Sequence, residues 1–503
     1  MAASTHPLPA LQRVVFAQGP WPLHDLATSR AIESAASARH APGVLMARAG
    51  LSVARLALAI APPGASFLVA AGPGNNGGDG LVAASHLHRA GQRVTVLLAA
   101  DPLRLPPDAA AALASAQAEG VRISLALPAH IEAHGVVVDA LLGLGARRAP
   151  EGVIAQTLHL LASTGGPALA VDLPSGLHAD TGALLGPHAF VAAHTLSLLT
   201  LKPGLFTNAG RDHSGQVWFD SLQEPLPDPG AWLAGPPPTT RRAHAGHKGR
   251  YGDVLVIGGA PGKVGAATLA ATAALSAGAG RVYLSTLGAS TAASVPAELM
   301  TRPCAWLLPP TELQAVVAVC GCGGGAEIGD ALPPLLMHTK RLVLDADALN
   351  AIANDPMLRR QLAARGARES GATVLTPHPL EAARLLGTTT SQIQDDRLKA
   401  ARSLAAEFGA TVVLKGSGTI VADAKGLPLI NPTGNASLAT AGTGDVLAGW
   451  IGGLWAQAPD RAPVDIAAHA VWQHGAAADR FVAYGGFGPL RAGALIAAMS
   501  GGA

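Results

Sequence analysis

Two glycine-rich turns, each with an aspartate set into it, lie near opposite ends of the chain, at residues 72–80 (GPGNNGGDG) and 441–449 (AGTGDVLAG). Glycine lets a backbone turn tightly and approach a phosphate closely, and a helix that begins after such a turn presents free N–H groups to an anion. An aspartate there would repel a phosphate unless it serves a metal, a proton transfer or a sugar hydroxyl. The two turns therefore predict two active sites.

Polar residues also stand at the ends of three apolar runs that follow the first turn in the sequence. Asp139 ends one run, and Asp172 and Ser175 follow the next. Residues 202–204 (KPG) follow the third run. Polar groups at the carboxyl ends of parallel strands converge on one crevice, where oxygen atoms of Asn76, Asp139 and Ser175 could bind a hard cation. Asp172 would be left as an acid or base, and the alternative is that both aspartates cap the helices that follow.

A dehydrogenase is a second interpretation of the first turn. Residues 72–77 formally satisfy the dinucleotide-binding pattern GxGxxG, and Asp101 closes the next strand where a ribose-binding acid would be expected. Asp79 argues against this interpretation, because it would lie in the first helical turn, where a pyrophosphate needs a positive field.

The second turn places glycines and Asp445 at the start of an apolar helix. The N–H groups there would hold a terminal phosphate, and Asp445 could take a proton from a hydroxyl that attacks it. Residues 415–419 (KGSGT) supply a cation and small polar groups suited to a nucleotide, and His378 is a candidate substrate contact. Capping of the helix by Asp445 is the alternative. A P-loop is excluded, because Ile257 and Val264 stand where that motif requires Gly and Ser or Thr.

Both turns are embedded in alternating apolar runs and helical stretches, which is the pattern of α/β folds with parallel sheets. At 503 residues the chain is long enough for two cores, and a stretch rich in Pro and Gly divides it. We therefore predict domains at residues 1–225 and 247–503 and a linker at 226–246. The predicted strands are 67–71, 93–99, 135–140 and 168–172 in the first half and 253–257, 282–285, 316–319, 342–344, 373–375 and 411–414 in the second.

Composition narrows the class of function. The net charge is +2 and the basic residues are dispersed, so nothing predicts nucleic-acid binding. Apolar runs are interrupted before about 18 residues and no secretory signal is apparent, so we expect no membrane span and no export. Three cysteines are too few for a disulfide framework, and Cys320 and Cys322 are interpreted as buried thiols. A cytoplasmic protein with small-molecule partners is expected.

Taken together, the motifs of the first half resemble NAD(P)H-hydrate epimerase domains over about 220 residues. The motifs are LMARAG (45–50), GPGNNGGDGLVAASHL (72–87), VDALLGLG (138–145) and VDLPSG (171–176). The resemblance implies a Rossmann-like parallel sheet, a K⁺ site at Asn76, Asp139 and Ser175, and Asp172 as the catalytic residue. The family's GTGL loop has Leu144 in its second position here, which removes a hydroxyl. The substrate contacts implied are Asn75, Asn76, Gly77, Gly78, Asp79, Gly143, Leu144, Gly145, Ala146, Arg147, Arg148, Ala149 and Asp172.

The motifs of the second half resemble NAD(P)H-hydrate dehydratase domains. They include VIGG (256–259), DADALN (345–350), TPHPLE (376–381), LKGSGT (414–419) and AGTGDVLAG (441–449). The resemblance implies a ribokinase-like α/β fold, Mg²⁺, ADP as co-substrate and Asp445 as the catalytic residue. The family's GPGLG turn reads GCGGG at residues 321–325. The contacts implied are Ala266, Gly323, His378 and Asp445 for the substrate and Lys415, Gly416, Ser417, Gly418, Thr419 and Gly444 for the nucleotide.

The two resemblances together imply a bifunctional repair enzyme. We also expect a homo-oligomer, because folds of this kind commonly expose helical faces that pair. The enzyme would interconvert the R and S hydrates of NADH and NADPH (NADHX and NADPHX) and dehydrate the S form at the expense of ADP, giving AMP and phosphate. Three alternatives stay open: a small-molecule kinase with a stable phosphorylated product, a dehydrogenase, and a non-enzymatic first domain that senses a nucleotide or binds a partner.

Overall fold

A computed structural model describes residues 11–128, 135–162, 166–238, 241–288, 295–302, 308–368 and 371–501. Within these ranges the chain forms two compact units. Unit 1 comprises residues 11–16 and 21–233, and unit 2 comprises residues 17–20 and 234–501. The division after Leu233 falls inside residues 226–246, the segment predicted as the linker.

Unit 1 is an α/β layer structure. Its helices are α1 (Leu26–Arg39), α2 (Val44–Ile60), α3 (Asn75–Arg89), α4 (Pro107–Ala118), α5 (Gly152–Leu161) and α6 (Gly210–His213). Its strands are β1 (Gln12–Arg13), β2 (Trp21–Leu23), β3 (Ser66–Ala71), β4 (Arg93–Leu98), β5 (Arg122–Ser124), β6 (Val136–Ala140), β7 (Ala168–Val171), β8 (His194–Leu198), β9 (Gln216–Asp220) and β10 (Ala231–Leu233).

The main sheet of unit 1 has the order β1-β9-β8-β7-β6-β3-β4-β5 and is parallel except for the β1–β9 pair. Its central strands β3 and β6 are almost entirely buried, which is why they read as unbroken apolar runs. Helix α3 packs closely on this sheet because Gly80 has no side chain: a Cβ there would lie 2.6 Å from the Cβ of Ala140. The carboxyl ends of β3, β6 and β7 therefore meet beside the start of α3.

Unit 2 is a second α/β structure. Its helices are α7 (Val264–Ser276), α8 (Pro310–Ala315), α9 (Ile328–His338), α10 (Asp347–Asn354), α11 (Pro356–Gly366), α12 (Pro379–Leu386), α13 (Thr390–Asp395), α14 (Arg397–Phe408), α15 (Thr443–Gln457), α16 (Pro463–Ala483) and α17 (Ala492–Ser500). Its strands are β11 (Asp253–Gly258), β12 (Arg281–Thr286), β13 (Met300–Thr301), β14 (Val317–Cys320), β15 (Arg341–Leu344), β16 (Ala372–Leu375), β17 (Thr411–Leu414), β18 (Ile420–Ala422) and β19 (Leu429–Ile430).

The strands of unit 2 follow the order β13-β12-β11-β14-β15-β16-β17-β18-β19. They are parallel as far as β17, after which β18 and β19 are antiparallel. Helix α15 contacts α7 through two glycines one turn apart. A Cβ on Gly449 would lie 1.9 Å from the carbonyl oxygen of Ala270, and one on Gly453 would lie 2.3 Å from that of Ala274. These glycines let the two backbones touch and so set the position of the start of α15.

The predicted fold class is confirmed: the first half has a Rossmann-like parallel sheet and the second a ribokinase-like α/β arrangement. Every strand predicted from the sequence overlaps an observed strand, because buried parallel strands read as short apolar runs. Among the described residues no single helix is long and apolar enough to cross a membrane. The bent pair α1 and α2 passes that test together, by length and composition alone, at an angle of 115°.

Candidate active sites

Two glycines of the first turn, Gly77 and Gly78, pack against protein, whereas Gly74 lines a cavity. Gly77 and Gly78 are buried, and a Cβ on Gly77 would lie 2.1 Å from the carbonyl oxygen of Gly72. A Cβ on Gly78 would lie 2.4 Å from Cε of Met46. The space beside both glycines is therefore filled by protein, and neither residue lines the cavity next to this turn.

That cavity has a volume of about 600 Å³ and lies at the carboxyl ends of the strands of unit 1. Its lining combines the helix start with the loop after β6 and residues of α1. A volume of this size suits a nucleotide-sized ligand. The predicted contacts that line it are Asn75, Asn76, Asp79, Gly143, Leu144, Gly145, Ala146, Arg147, Arg148, Ala149 and Asp172.

Asp172 faces this cavity from the end of β7 in an unusual conformation. Its φ is +70°, in the left-handed region that a non-glycine residue adopts rarely. Its carboxylate accepts hydrogen bonds from the ammonium of Lys202 and, at 3.3 Å, from the backbone N–H of Leu198. Lys202 is wholly buried and also donates to the carbonyl oxygen of Leu198 at 2.7 Å. The pair holds the carboxylate in one orientation toward the cavity.

Asp139 and Ser175 form a second polar cluster next to this cavity. The Asp139 carboxylate accepts hydrogen bonds from the Ser175 backbone N–H (2.8 Å), the Ser175 hydroxyl (2.7 Å) and the Leu141 N–H (3.1 Å). Burial raises the pKa of Asp139 to about 6, although these hydrogen bonds favour its ionised form. A buried carboxylate of this kind is expected to have a cation nearby.

Asn76 is connected to that cluster through the loop after β6. The Leu142 N–H donates to the Ser175 hydroxyl at 2.9 Å, and a Cβ on Gly143 would lie 3.3 Å from Oδ1 of Asn76. The Nδ2 atom of Asn76 is buried and has no hydrogen-bond partner among the residues that the structure describes. This donor set, a carboxylate, a hydroxyl and an amide oxygen, is of the kind that a hard cation binds.

Two further carboxyl groups of the cavity have pKa values above their ordinary range. Burial, and then the negative charge of Asp172, raise the pKa of Glu33 above its ordinary value. Burial also raises the pKa of Asp79 well above its ordinary value, and the charges of Asp172 and Glu33 add to that effect. The cavity therefore contains two carboxyl groups with raised pKa values besides the ion-paired Asp172.

In unit 2, Asp445 lies in the first turn of α15, after Gly442, whose φ of +91° forms the helix N-cap. Ligand atoms of Asp445, Asp345 and Cys322 all lie within 4.8 Å of one another. Burial, and then the charge of Asp345, raise the pKa of Asp445 to about 6, while a hydrogen bond from the Cys322 thiol opposes the shift. Asp445 can therefore exchange a proton near neutral pH.

Asp345 and Lys415 form an ion pair beside Asp445. The Lys415 ammonium donates to Oδ1 of Asp345 at 2.7 Å, and the Thr376 hydroxyl donates to the same oxygen at 2.7 Å. Burial lowers the pKa of Lys415, but the charges of Asp345 and Glu381 outweigh it and the net shift is upward. A Cβ on Gly444 would lie 3.3 Å from this ammonium, so Lys415 stands directly beside the helix start.

The other predicted contacts of unit 2 differ in their neighbours and in their burial. Gly323 and Ala266 are adjacent, since a Cβ on Gly323 would lie 2.9 Å from that of Ala266. His378 is the N-cap of α12, and its Nδ1 accepts from the Leu380 N–H at 3.1 Å, so it has a structural role as well. Gly416 and Ser417 are exposed, Thr419 is half-buried and Gly418 is buried.

The sequence-based predictions assign no role to three residues of these sites. Two of them, Lys202 and Asp345, lie in the segments KPG and DADALN, where their positions at strand ends could have identified them as site residues. The third residue, Glu33, lies in α1, where no motif or strand end marks it.

Cys320 and Cys322 are free and fully buried, as predicted from the sequence. Cys304 lies outside the described residues.

Comparisons with known proteins agree with this division into two sites. Residues 254–496 match the family described as NAD(P)H-hydrate dehydratase, and residues 42–204 match the family described as YjeF-related protein N-terminus. The bifunctional NAD(P)H-hydrate repair enzyme Nnr of Escherichia coli is 39% identical over 456 residues, which cover 86% of this chain and 84% of that protein. The enzyme of the same name from Moorella thermoacetica is 38% identical over 466 residues, 86% of each chain.

A crystal structure of ADP/ATP-dependent NAD(P)H-hydrate dehydratase from Bacillus subtilis is 28% identical and covers 52% of this chain and 92% of that one, with a TM-score of 0.44. Identity above 30% to the curated relatives, sustained over both units and most of each relative, establishes the relationship. The chain belongs to the family of bifunctional NAD(P)H-hydrate repair enzymes.

Proposed function

We propose that this chain repairs hydrated nicotinamide nucleotides with two active sites. Unit 1 interconverts the R and S hydrates of NADH and NADPH, and unit 2 dehydrates the S form while consuming ADP and releasing AMP and phosphate. The observation that carries the proposal is that the two candidate catalytic aspartates lie in two separate sites with different charged neighbours. Asp172 is ion-paired to Lys202 in a nucleotide-sized cavity, and Asp445 stands beside the Asp345–Lys415 pair at a helix start.

The chemistry of the hydrate explains what Asp172 does. The hydroxyl-bearing carbon is bonded to the ring nitrogen, whose lone pair helps the hydroxyl to depart and leaves a planar, positively charged centre. Water can then return to either face. Asp172, fixed by Lys202, exchanges the proton of the departing or returning water and stabilises the positive ring.

In unit 2 the task is to convert a poor leaving group into a good one. Asp445 takes the proton of the S hydroxyl as that oxygen attacks the terminal phosphate of ADP. The N–H groups at the start of α15 and the Lys415 ammonium beside them stabilise the charge on the transferred group. Phosphate then leaves the substituted carbon and a proton leaves the neighbouring ring carbon to solvent, which together restore the ring double bond. ADP rather than ATP as the donor is part of the proposal.

Two cations belong to the proposal. Asn76, Asp139 and Ser175 would hold K⁺, which would neutralise the buried Asp139 and order the loops around the cavity. Oxygen atoms of Asp345 and Asp445 are of the kind that Mg²⁺ binds, whereas the Cys322 thiol is not. Mg²⁺ would offset phosphate charge at this place.

The decisive experiment supplies the intact protein with a mixture of both NADH hydrates and ADP. The near-ultraviolet absorbance of NADH should be regenerated in full. Asp445→Ala should abolish this recovery, and Asp172→Ala should restrict prompt recovery to the S fraction. Repair of both epimers by Asp172→Ala, faster than they interconvert spontaneously, would contradict the role of unit 1. A stable phosphorylated product would indicate a kinase instead.

We also propose that the protein works in the cytoplasm as a homo-oligomer. Free, buried Cys320 and Cys322 suit a reducing compartment. Light scattering coupled to size-exclusion chromatography measures the oligomeric state, and a monomeric mass would contradict this part of the proposal.

A further inference from the structure

One wall of the unit 1 cavity is formed by a helix that precedes the matched family segment, residues 42–204. Arg30, Glu33 and Ser37 of α1 line the cavity, and their spacing of three and four residues places them on one face of the helix. The start of α1 is held in place because the Leu26 N–H donates to the Asp180 carboxylate at 2.7 Å. Helix α1 is therefore an anchored part of the site.

Inversion at the hydrate carbon needs two groups that can exchange protons. The hydroxyl leaves one face of the ring as water and needs a proton, and water returning to the opposite face must lose one. A single carboxylate on one side of the ring reaches only one of these oxygens. With Asp172 at the strand ends, a second acid or base must project into the cavity from another element.

Glu33 meets this requirement. It projects from α1 into the same cavity as Asp172, and its carboxyl is hydrogen-bonded by the side chain of Asn75. The charged groups that act on it are Asp172, Lys202 and Arg30, and Asp79 of the same cavity also interacts with it. Because burial and Asp172 raise its pKa, Glu33 holds a proton more tightly than an exposed glutamate, whereas Asp172 is bonded to the Lys202 ammonium. The two carboxyls therefore face the same cavity from different elements and in different electrostatic surroundings.

We propose that Glu33 is the second catalytic residue of the epimerase reaction, transferring the proton that Asp172 cannot reach. In one direction the Glu33 carboxyl protonates the departing hydroxyl, the C–O bond breaks, and water and a cationic ring form. Water then bonds to the opposite face and gives a proton to Asp172. Asp172 then loses this proton to solvent and Glu33 regains one, which restores the starting state for the next turnover. The reverse reaction uses the two residues in exchanged roles. This inference rests on the proposed epimerase function and deepens it.

The test compares Glu33→Gln with wild type in the intact protein. Pure R hydrate is supplied without ADP, so that unit 2 is silent, and the two epimers are separated by chromatography over time. Glu33→Gln should lower the rate at least about 10²-fold, the usual contribution of one acid–base group. Its residual activity should also lose the alkaline fall of the wild-type pH profile, because that fall reports loss of the Glu33 proton.

Controls separate chemistry from structure. Glu33→Asp should recover part of the rate, thermal unfolding of each variant should match wild type, and ADP-dependent dehydration of pure S hydrate should be unchanged. Glu119→Gln, an acid of unit 1 that does not line the cavity, should behave as wild type. A wild-type rate and pH profile for Glu33→Gln, with Asp172→Asn inactive, would overturn this inference alone. So would loss of the alkaline fall in Asp79→Asn but not in Glu33→Gln. Full activity of Asp172→Asn would instead overturn the proposed function.

Discussion

The ammonium of Lys202 and the carboxylate of Asp172 form a buried ion pair at the centre of the unit 1 site. Asp172 follows β7 and Lys202 follows β8, and these strands are parallel neighbours. Their carboxyl ends therefore bring together residues 30 positions apart. Asp172 has a left-handed backbone conformation at this point, and its carboxylate accepts a hydrogen bond from the Lys202 ammonium.

Replacing Lys202 by Met should cost both stability and epimerase activity. The change leaves the Asp172 carboxylate in a largely buried place without its cation, a loss of about 3–5 kcal/mol in the free energy of unfolding. Urea denaturation measures it. The double variant Lys202→Met with Asp172→Asn should regain much of that stability while remaining inactive as an epimerase. If the single variant is as stable as wild type, the pair has no structural importance.

Dehydration by unit 2 should weaken as the solution becomes acidic. Asp445 can accept a proton only when ionised, and its pKa is raised to about 6, so kcat/KM should fall progressively below that pH. Asp445→Asn should lose about 10²–10⁴-fold in rate and the acidic fall with it. Asp465, an exposed acid in the first turn of α16, offers a matched control. Asp465→Asn should keep the wild-type rate and profile.

Potassium should stabilise unit 1 specifically. A cation that binds only the folded state raises the free energy of unfolding, by about 2.7 kcal/mol at one hundred times its dissociation constant. Thermal unfolding in potassium chloride should therefore occur at a higher temperature than in sodium chloride of equal ionic strength. Asp139→Asn should abolish the difference. The control variant Asp101→Asn, at an exposed aspartate in the loop after β4, should preserve it. Identical unfolding of wild type in both salts would argue against the site.

Two helix glycines of unit 2 should respond oppositely to alanine. Gly449→Ala places a Cβ 1.9 Å from the Ala270 carbonyl oxygen, so α7 and α15 must separate, at a cost of about 1–3 kcal/mol. Gly493→Ala in α17 meets no atom of the described residues within 4 Å and should stabilise by about 0.5–1 kcal/mol through helix propensity. Calorimetry of the two variants measures both effects, and equal unfolding temperatures would contradict the packing argument.

Much of the fold was predictable because buried parallel strands read as unbroken apolar runs with polar residues at their ends. The same rule brought Asp139, Asp172 and Ser175 together in the sequence-based prediction. It could not reveal that Lys202 would bond to Asp172, because that contact depends on the neighbouring order of β7 and β8 and on a positive φ. The order of the strands is a tertiary property, and the apolar pattern of the sequence does not indicate a positive φ at an aspartate.

The glycines and Glu33 illustrate two other limits. A glycine that approaches a ligand and a glycine that approaches another backbone look identical in sequence, and Gly77 and Gly78 proved to face protein atoms. Glu33 lies in a helix well before the first motif, and only the folded chain shows that this helix forms a wall of the cavity. Motifs locate the sheet edge, whereas the elements that close over it must be found in three dimensions.

The burial of Cys320 and Cys322 provides a built-in reporter of unfolding. Both thiols have no exposure to solvent, and burial raises the pKa of each, so the reactive thiolate is suppressed in the folded protein. Cys320 lies in β14, a central strand of the unit 2 sheet, and Cys322 lies in the turn that follows it. An alkylating reagent can label the peptide containing both residues only when that sheet opens. Mass spectrometry of this one peptide would therefore follow the opening of unit 2 alone. Optical signals of unfolding, in contrast, combine contributions from both units.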